Sequence, residues 1–348
     1  MSRPRAAAAL LAAAAAVLSG CGPADPPPAP ETSAPTATAP ATPSAAAGPV
    51  RIATGPTEQT AVLAHLYAGR LREAGFDASV VDTGTDRDAY LGALERGEVE
   101  LVPDHSGNLY LHLRGLEPVG PATPAPTGTP APTPTPARGG LAEDLSELLG
   151  LGGEGADNDD VLAGVRDVLP EGLRILEPAP AENTVAVVVT RATAVEHSLE
   201  DLADLGPICA GIALGADPDF ADRPYGIEGL AEAYECVPED VVPFGSAEEL
   251  VTALLEDEVQ AAALFTASPE IEDNALVVLG DPLNNFVPQR VVPVADEDLP
   301  EAAADVVDEV SAGIGTEDLV LMTRMTTARD PYRPEEAARY WLEGGDDT

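Results

Sequence analysis

The chain has 348 residues, with 60 acidic side chains against 18 basic ones, all of them Arg, for a formal net charge of -42. A surface this acidic repels the phosphates of nucleic acid and of anionic lipid headgroups, so neither is expected as a partner on charge. Three Cys and four His show no metal-ligand spacing, and no metal or cofactor is expected.

The first 21 residues read as an export signal. Arg3 and Arg5 form a positive n-region, and Ala6 to Val17 form an apolar stretch too short to span a bilayer. Leu18-Ser19-Gly20-Cys21 matches the lipobox of bacterial lipoproteins, which predicts lipidation of Cys21 and a membrane anchor on the outer face of the cell membrane. The alternative is a plain secretory signal with an incidental Cys. In an exported chain the two remaining thiols, Cys209 and Cys236, most simply form one disulfide around Asp217–Tyr234. Residues 22–48, rich in Pro, Ala and Thr, read as a disordered tether reaching up to roughly 80 Å at about 3.1 Å per residue.

The folded part begins with a strand at Val50–Ala53. Thr57-Glu58-Gln59 then leads into a helix over Ala61–Ala74, where Val62, Leu63, Leu66, Tyr67 and Leu71 recur at helical spacing. Gly75-Phe76 ends it, Ala78–Val81 reads as a strand, and Asp86–Arg96 as a helix. Val99, Leu101 and Val102 predict a buried strand running into the polar turn Pro103–Asn108. A helix is expected from about Asn108, capped by Ser106 or Asp104. Its first N–H groups would face the carboxyl end of a strand, where α/β folds hold anionic ligands. The alternative is an ordinary strand-to-helix turn. Eight prolines between Pro118 and Pro136 mark residues 118–137 as a surface excursion.

Helices are expected at Leu141–Leu151 and Val161–Leu169. Val185–Val189 reads as a strand buried on both faces. Leu199–Leu205 is a short helix, Ile208–Ala213 a strand, Ala247–Leu255 a helix and Ala261–Phe265 a strand. Strands at Ala275–Leu279 and Val291–Val294 follow, and helices at Pro300–Ile314, Glu317–Thr327 and Pro334–Leu342 close the chain. This alternation predicts an α/β fold with largely parallel sheets flanked by helices.

The order of segments resembles the extracytoplasmic substrate-binding proteins of ABC importers for glycine betaine, choline and related osmoprotectants. The resemblance runs from Val50 to Leu342 and rests on several short motifs in a shared order. These are Thr57-Glu58-Gln59, Pro103-Asp104-His105-Ser106-Gly107-Asn108, Asn183-Thr184-Val185, Phe220–Leu230 with Arg223, Phe265-Thr266-Ala267, and Phe286-Val287-Pro288-Gln289. It implies a two-lobed Venus-flytrap (type II periplasmic-binding-protein) fold, each lobe a mostly parallel sheet flanked by helices. Lobe one would comprise 49–182 and 290–348, and lobe two 183–289. It also implies a monomer that takes a small-molecule solute to ABC permease subunits, with a ligand site at Thr57, Asp104, His105, Ser106, Asn108, Asn183, Val185, Arg223, Phe265, Thr266 and Gln289.

In that family tyrosines cage a quaternary ammonium, whereas the matching positions here are His105, Val185 and Gln289, with Phe265 the aromatic that remains. A smaller or more polar zwitterion, hydrogen-bonded to His105, Asn108, Asn183 and Gln289, fits these residues better. Arg223 is either a carboxylate clamp or a surface Arg paired with Asp222. Thr57 and Glu58 line the cleft or cap a helix, and Tyr225 is either an aromatic wall or a packing residue. His65, His112 and His197 read as structural, and Tyr332, Tyr340 and Trp341 as packing. A nucleophile elbow, a phosphate loop and metal-ligand spacing are all missing from the sequence, so no enzyme is expected. The alternative to an importer subunit is an orphan solute-sensing or ligand-altered lipoprotein of the same fold.

Overall fold

A computed structural model describes residues 48–116 and 156–344, all within one compact unit. The signal segment, Cys21, the tether, the proline-rich excursion and the helix expected at 141–151 lie outside the described residues.

Two five-stranded sheets carry these residues. The first holds β1 (Val50–Ala53), β2 (Ala78–Val81), β3 (Leu101–His105), β4 (Leu173–Ile175) and β10 (Val291–Asp296), in the order β2-β1-β3-β10-β4. The second holds β5 (Val185–Val189), β6 (Ala213–Ala216), β7 (Asp240–Pro243), β8 (Ala261–Phe265) and β9 (Val277–Val278), in the order β7-β6-β8-β5-β9. Helices α1 (Glu58–Glu73), α2 (Arg87–Glu95), α3 (Ser106–Leu113) and α4 (Asn158–Val168) precede β4. Helices α5 (Arg191–His197), α6 (Leu202–Leu205), α7 (Ile227–Tyr234), α8 (Ala247–Leu255) and α9 (Pro269–Asp273) belong to the stretch that builds the second sheet. Helices α10 (Glu301–Ala312), α11 (Thr316–Thr327) and α12 (Pro334–Leu342) follow β10.

The chain therefore leaves the first sheet after β4 and returns to it as β10. The outgoing and returning segments run side by side, with Glu182 bridged to Arg290 and the Asn183 N–H donating to the Gln289 carbonyl at 3.2 Å. This crossing decides strand direction. β1, β3, β6 and β8 run toward it, whereas β5 and β10 start from it, so each of these two lies antiparallel to its neighbours. β1 is parallel to β2 and β3, and β6 is parallel to β7 and β8. The two-lobed α/β reading stands, but the sheets are mixed where mostly parallel ones were expected.

Local chemistry explains the elements nearest the crossing. Thr57 caps α1 through its side chain, which accepts from the Thr60 N–H, while Thr60 Oγ1 accepts from the Thr57 N–H. The apolar stripe of α1 packs beneath the first sheet. There Tyr67 is fully buried with its hydroxyl 3.0 Å from Ser311 Oγ on α10, and burial raises its pKa. Gly55 is held at φ +75°, and a Cβ there would lie 2.3 Å from the Pro103 carbonyl oxygen. Only glycine lets the end of β1 approach β3 this closely. At Gly107 a Cβ would come within 2.9 Å of the Pro288 carbonyl oxygen, so its missing side chain lets α3 lie against the returning segment.

Other expectations shift. β3 runs through Pro103 to His105, and α3 begins at Ser106, not at Asn108. Neither Ser106 nor Asp104 caps α3, because both side chains are committed elsewhere, as set out below. The strand expected at 208–213 is a 3-10 turn over Gly206–Gly211, and β6 starts only at Ala213. Pro207 lacks the N–H that a ladder needs, and Cys209 is bonded to Cys236 just beyond α7. Tyr225 is a packing residue, set edge-on between Phe220 and Phe286 with ring centroids 6.4 and 5.9 Å apart. Tyr332 is 52% exposed, not packed, and His112 is partnered by Asp88 at 3.1 Å.

The disulfide spans 27 residues, a loop for which chain entropy gives about 3.5 kcal/mol. Replacing both cysteines with Ala is expected to lower unfolding free energy by about that amount in a denaturant titration. A double variant as stable as the parent would contradict it.

Candidate ligand-binding site

The two sheets and the paired crossing segments enclose a cavity of about 220 Å³. Thr57, Glu58 and Gln59 at the start of α1, Arg87 of α2, and His105 and Asn108 bound it on the first sheet's side. Asn183 and Gln289 come from the crossing, and Phe265, Ala267 and Ser268 from the carboxyl end of β8. Thr323, Thr326 and Thr327 of α11 complete the wall. A neighbouring cavity of about 240 Å³, lined by Val185, Phe244 and Leu250 among others, shares Phe265 and Ser268 with it.

The buried carboxamide of Gln59 ties these parts together. Its Nε2 donates to the Leu319 carbonyl at 3.3 Å and to Thr323 Oγ1 at 3.0 Å, both on α11. Its Oε1 therefore faces the other way and accepts from Asn183 Nδ2 at 3.2 Å and from His105 Nε2 at 3.0 Å. Asn183 Oδ1 in turn accepts the Ala267 N–H from the second sheet at 3.1 Å. Gln289 closes the circuit, donating from Nε2 to the Asn183 carbonyl and accepting the Asn108 N–H at 3.2 Å.

This circuit settles the state of His105. Because a carboxamide oxygen can only accept, Nε2 carries the proton and Nδ1 is left as an acceptor. No described residue donates to Nδ1. The ring is 3% exposed, and burial pushes its pKa down to about 4; the Arg87 charge pushes the same way, against the nearby Asp104 carboxylate. His105 is thus a neutral imidazole at physiological pH.

Asp104 lies directly beneath and is fully buried. Its carboxylate takes a two-pronged contact from Arg87 (Nε at 3.1 Å, Nη2 at 3.0 Å), the hydroxyl of Tyr90 and its neighbour's N–H from His105 at 2.7 Å. Such an anchor fixes Arg87 at the cavity wall, but it leaves Asp104 itself no part of the lining.

The residues expected at the site thus divide. Thr57, His105, Asn108, Asn183, Phe265 and Gln289 line the cavity. Asp104 and Ser106 do not: Ser106 Oγ accepts the Arg290 N–H at 3.0 Å and stitches α3 to the returning strand. Thr266 Oγ1 accepts the Thr184 N–H at 3.0 Å beside the outgoing segment. Val185 is paired with Phe265 in the sheet and faces the neighbouring cavity. Arg223 is also absent from the lining, its guanidinium lying 5.9 Å from the centre of the Tyr225 ring. Arg87 is the basic residue of the wall among the described residues.

Comparison with known proteins fits this architecture. Residues 48–344 match the family described as the substrate binding domain of ABC-type glycine betaine transport systems. The chain belongs to this family. It is a non-catalytic, extracytoplasmic solute-binding component that delivers an osmoprotectant-class solute to an ABC importer. A solved glycine betaine/carnitine/choline ABC transporter structure superposes with a TM-score of 0.63 at 17% identity, covering 84% of this chain and 97% of that one. Apo YehZ from Escherichia coli gives 0.60 at 18%, covering 86% and 99%. Lactococcal OpuAC, in its closed conformation with glycine betaine, gives 0.52 at 13%, covering 86% and 96%. At these identities the likeness is one of fold.

Two outcomes follow from the geometry. Asp104→Ala leaves the Arg87 guanidinium without its buried partner and is expected to cost about 3–5 kcal/mol in a denaturant titration; a loss below about 1 kcal/mol would contradict the anchor. His105 stays neutral in the folded chain down to about pH 4, whereas an unfolded His takes up its proton near pH 6.5. The unfolded state therefore binds the extra proton in between, and this contribution to stability, intact above pH 6.5, is lost as pH falls toward 4. A His105→Gln variant should lose that component of the pH–stability curve.

Proposed function

We propose that the cavity beside Gln59 is where this family member captures a small zwitterionic, osmoprotectant-like solute before passing it to its permease. The observation that carries this reading is the origin of the wall. One cavity collects side chains from the first sheet's helices, from both crossing segments and from the end of β8, so a solute held there touches every part that moves when two lobes close. Arg87, fixed by Asp104, is the group for the anionic end of such a solute. Lobe one would be 49–182 with 290–348, and lobe two 183–289, with Asn183 and Gln289 at the crossings. The lipobox ending at Cys21 supports a lipid anchor on the outer face of the membrane, with the tether giving the binding unit reach.

Calorimetric titration of the full chain with glycine betaine, choline, carnitine, ectoine and a set of amino acids tests the capture. Saturable 1:1 binding of at least one carboxylate-bearing member is expected. Arg87→Lys, which keeps a charge beside Asp104 but loses the planar guanidinium that Asp104 positions at the wall, should weaken that binding about tenfold or more. Silence across the panel would overturn the reading. For the anchor, cells fed a clickable fatty acid should label the protein, and Cys21→Ala should abolish the label; equal labelling of both would refute lipidation at this residue.

A further inference from the structure

We infer that the cavity selects a solute whose cationic group carries N–H donors, a primary or secondary ammonium or a guanidinium, over a fully methylated one. This rests on the capture reading above and specifies the chemistry of that same site.

Away from Arg87, the α11 side of the wall and His105 offer lone pairs without matching protons. The hydroxyl of Thr326 donates to the Met322 carbonyl at 2.9 Å, and that of Thr327 to the Thr323 carbonyl at 2.8 Å. Thr323 donates to the Leu319 carbonyl at 2.8 Å while accepting from Gln59. All three protons are therefore spent on α11 itself, and what these hydroxyls have left for the cavity is acceptor capacity. Nδ1 of His105 is an acceptor for the independent reason that Gln59 Oε1 holds the proton on Nε2. Glu58 adds a carboxylate at the rim.

A fully methylated ammonium satisfies none of these lone pairs. It donates no N–H, strips water from the acceptors it covers, and is held chiefly by aromatic faces. Among the described residues, Phe265 is the one phenyl or phenol ring in this wall. An ammonium with two or three N–H groups repays the same desolvation, because each donor meets a lone pair already oriented by the helix or by Gln59. Hydrogen bonds from a charged donor are the strong kind, so each one gained or lost changes affinity by about tenfold or more.

Matched pairs differing only in N-methylation isolate this effect. The full chain would be titrated calorimetrically with glycine and glycine betaine, with proline and proline betaine, and with γ-aminobutyrate and γ-butyrobetaine. In pairs that bind, the N–H-bearing member is expected to bind at least tenfold tighter. The methylated member binding equally or more tightly would overturn the inference while leaving solute capture standing. No binding by any of these six or by the broader panel would overturn both. Thr326→Val, at a partly exposed helix position, removes one acceptor. It should weaken the N–H-bearing member about tenfold and leave its methylated partner unchanged; equal effects on the two would overturn the assignment.

Discussion

A single buried carboxamide organises the cleft. Gln59 spends both faces of its side chain, its nitrogen on α11 and its oxygen on His105 and Asn183, and Asn183 carries the connection to Ala267 at the end of β8. A buried polar network of this kind contributes only when every member is satisfied. Here each amide has one orientation that leaves no conflict. The same constraint that joins the segments also dictates which nitrogen of His105 is protonated, and hence what the cavity offers a solute.

Below this junction, Asp104 does different work. The most buried carboxylate of the site is shielded by Arg87 and Tyr90 and has no lone pair directed at a ligand. It sets the position of a cation at the wall instead. The turn after β3 is thus built in two layers: Asp104 and Ser106 brace the chain, and His105 and Asn108 line the cavity. Alternation at the end of β3 puts Asp104 and His105 on opposite faces, whereas Ser106 and Asn108 are set apart by the first turn of α3.

How much of this the amino-acid sequence reveals depends on whether the signal is local. Helices α1, α2, α8, α10 and α12 and the strands at Val50, Ala78, Val185 and Ala261 follow from apolar spacing and turn residues within each segment. Strand direction does not, because burial patterns are the same for a parallel and an antiparallel neighbour; β5 and β10 reverse only because they start at the crossing. Of the expected contacts, Thr57, His105, Asn108, Asn183, Phe265 and Gln289 line the cavity. Arg87 lies between two acids on α2, and its pairing with Asp104, 17 residues on, forms only in the folded chain. The α11 threonines lie about 260 residues from Gln59 and became visible only once the chain had folded back. A faint signal existed in Thr323-Arg324-Met325-Thr326-Thr327, hydroxyl residues three and four apart on one helix. Arg223 had the right chemistry in a familiar segment but is drawn to the Tyr225 ring.

The central claim is that Gln59 holds His105 as a neutral ring with Nδ1 left as an acceptor, and nitrogen NMR of the imidazole reads this directly. With ¹⁵N-labelled histidine, the ring of His105 at pH 7 should show a protonated Nε2 and an unprotonated Nδ1, and a Gln59→Leu variant should lose that single-tautomer signature. A ring protonated at Nδ1, or one averaging between tautomers in the wild-type chain, would contradict the account.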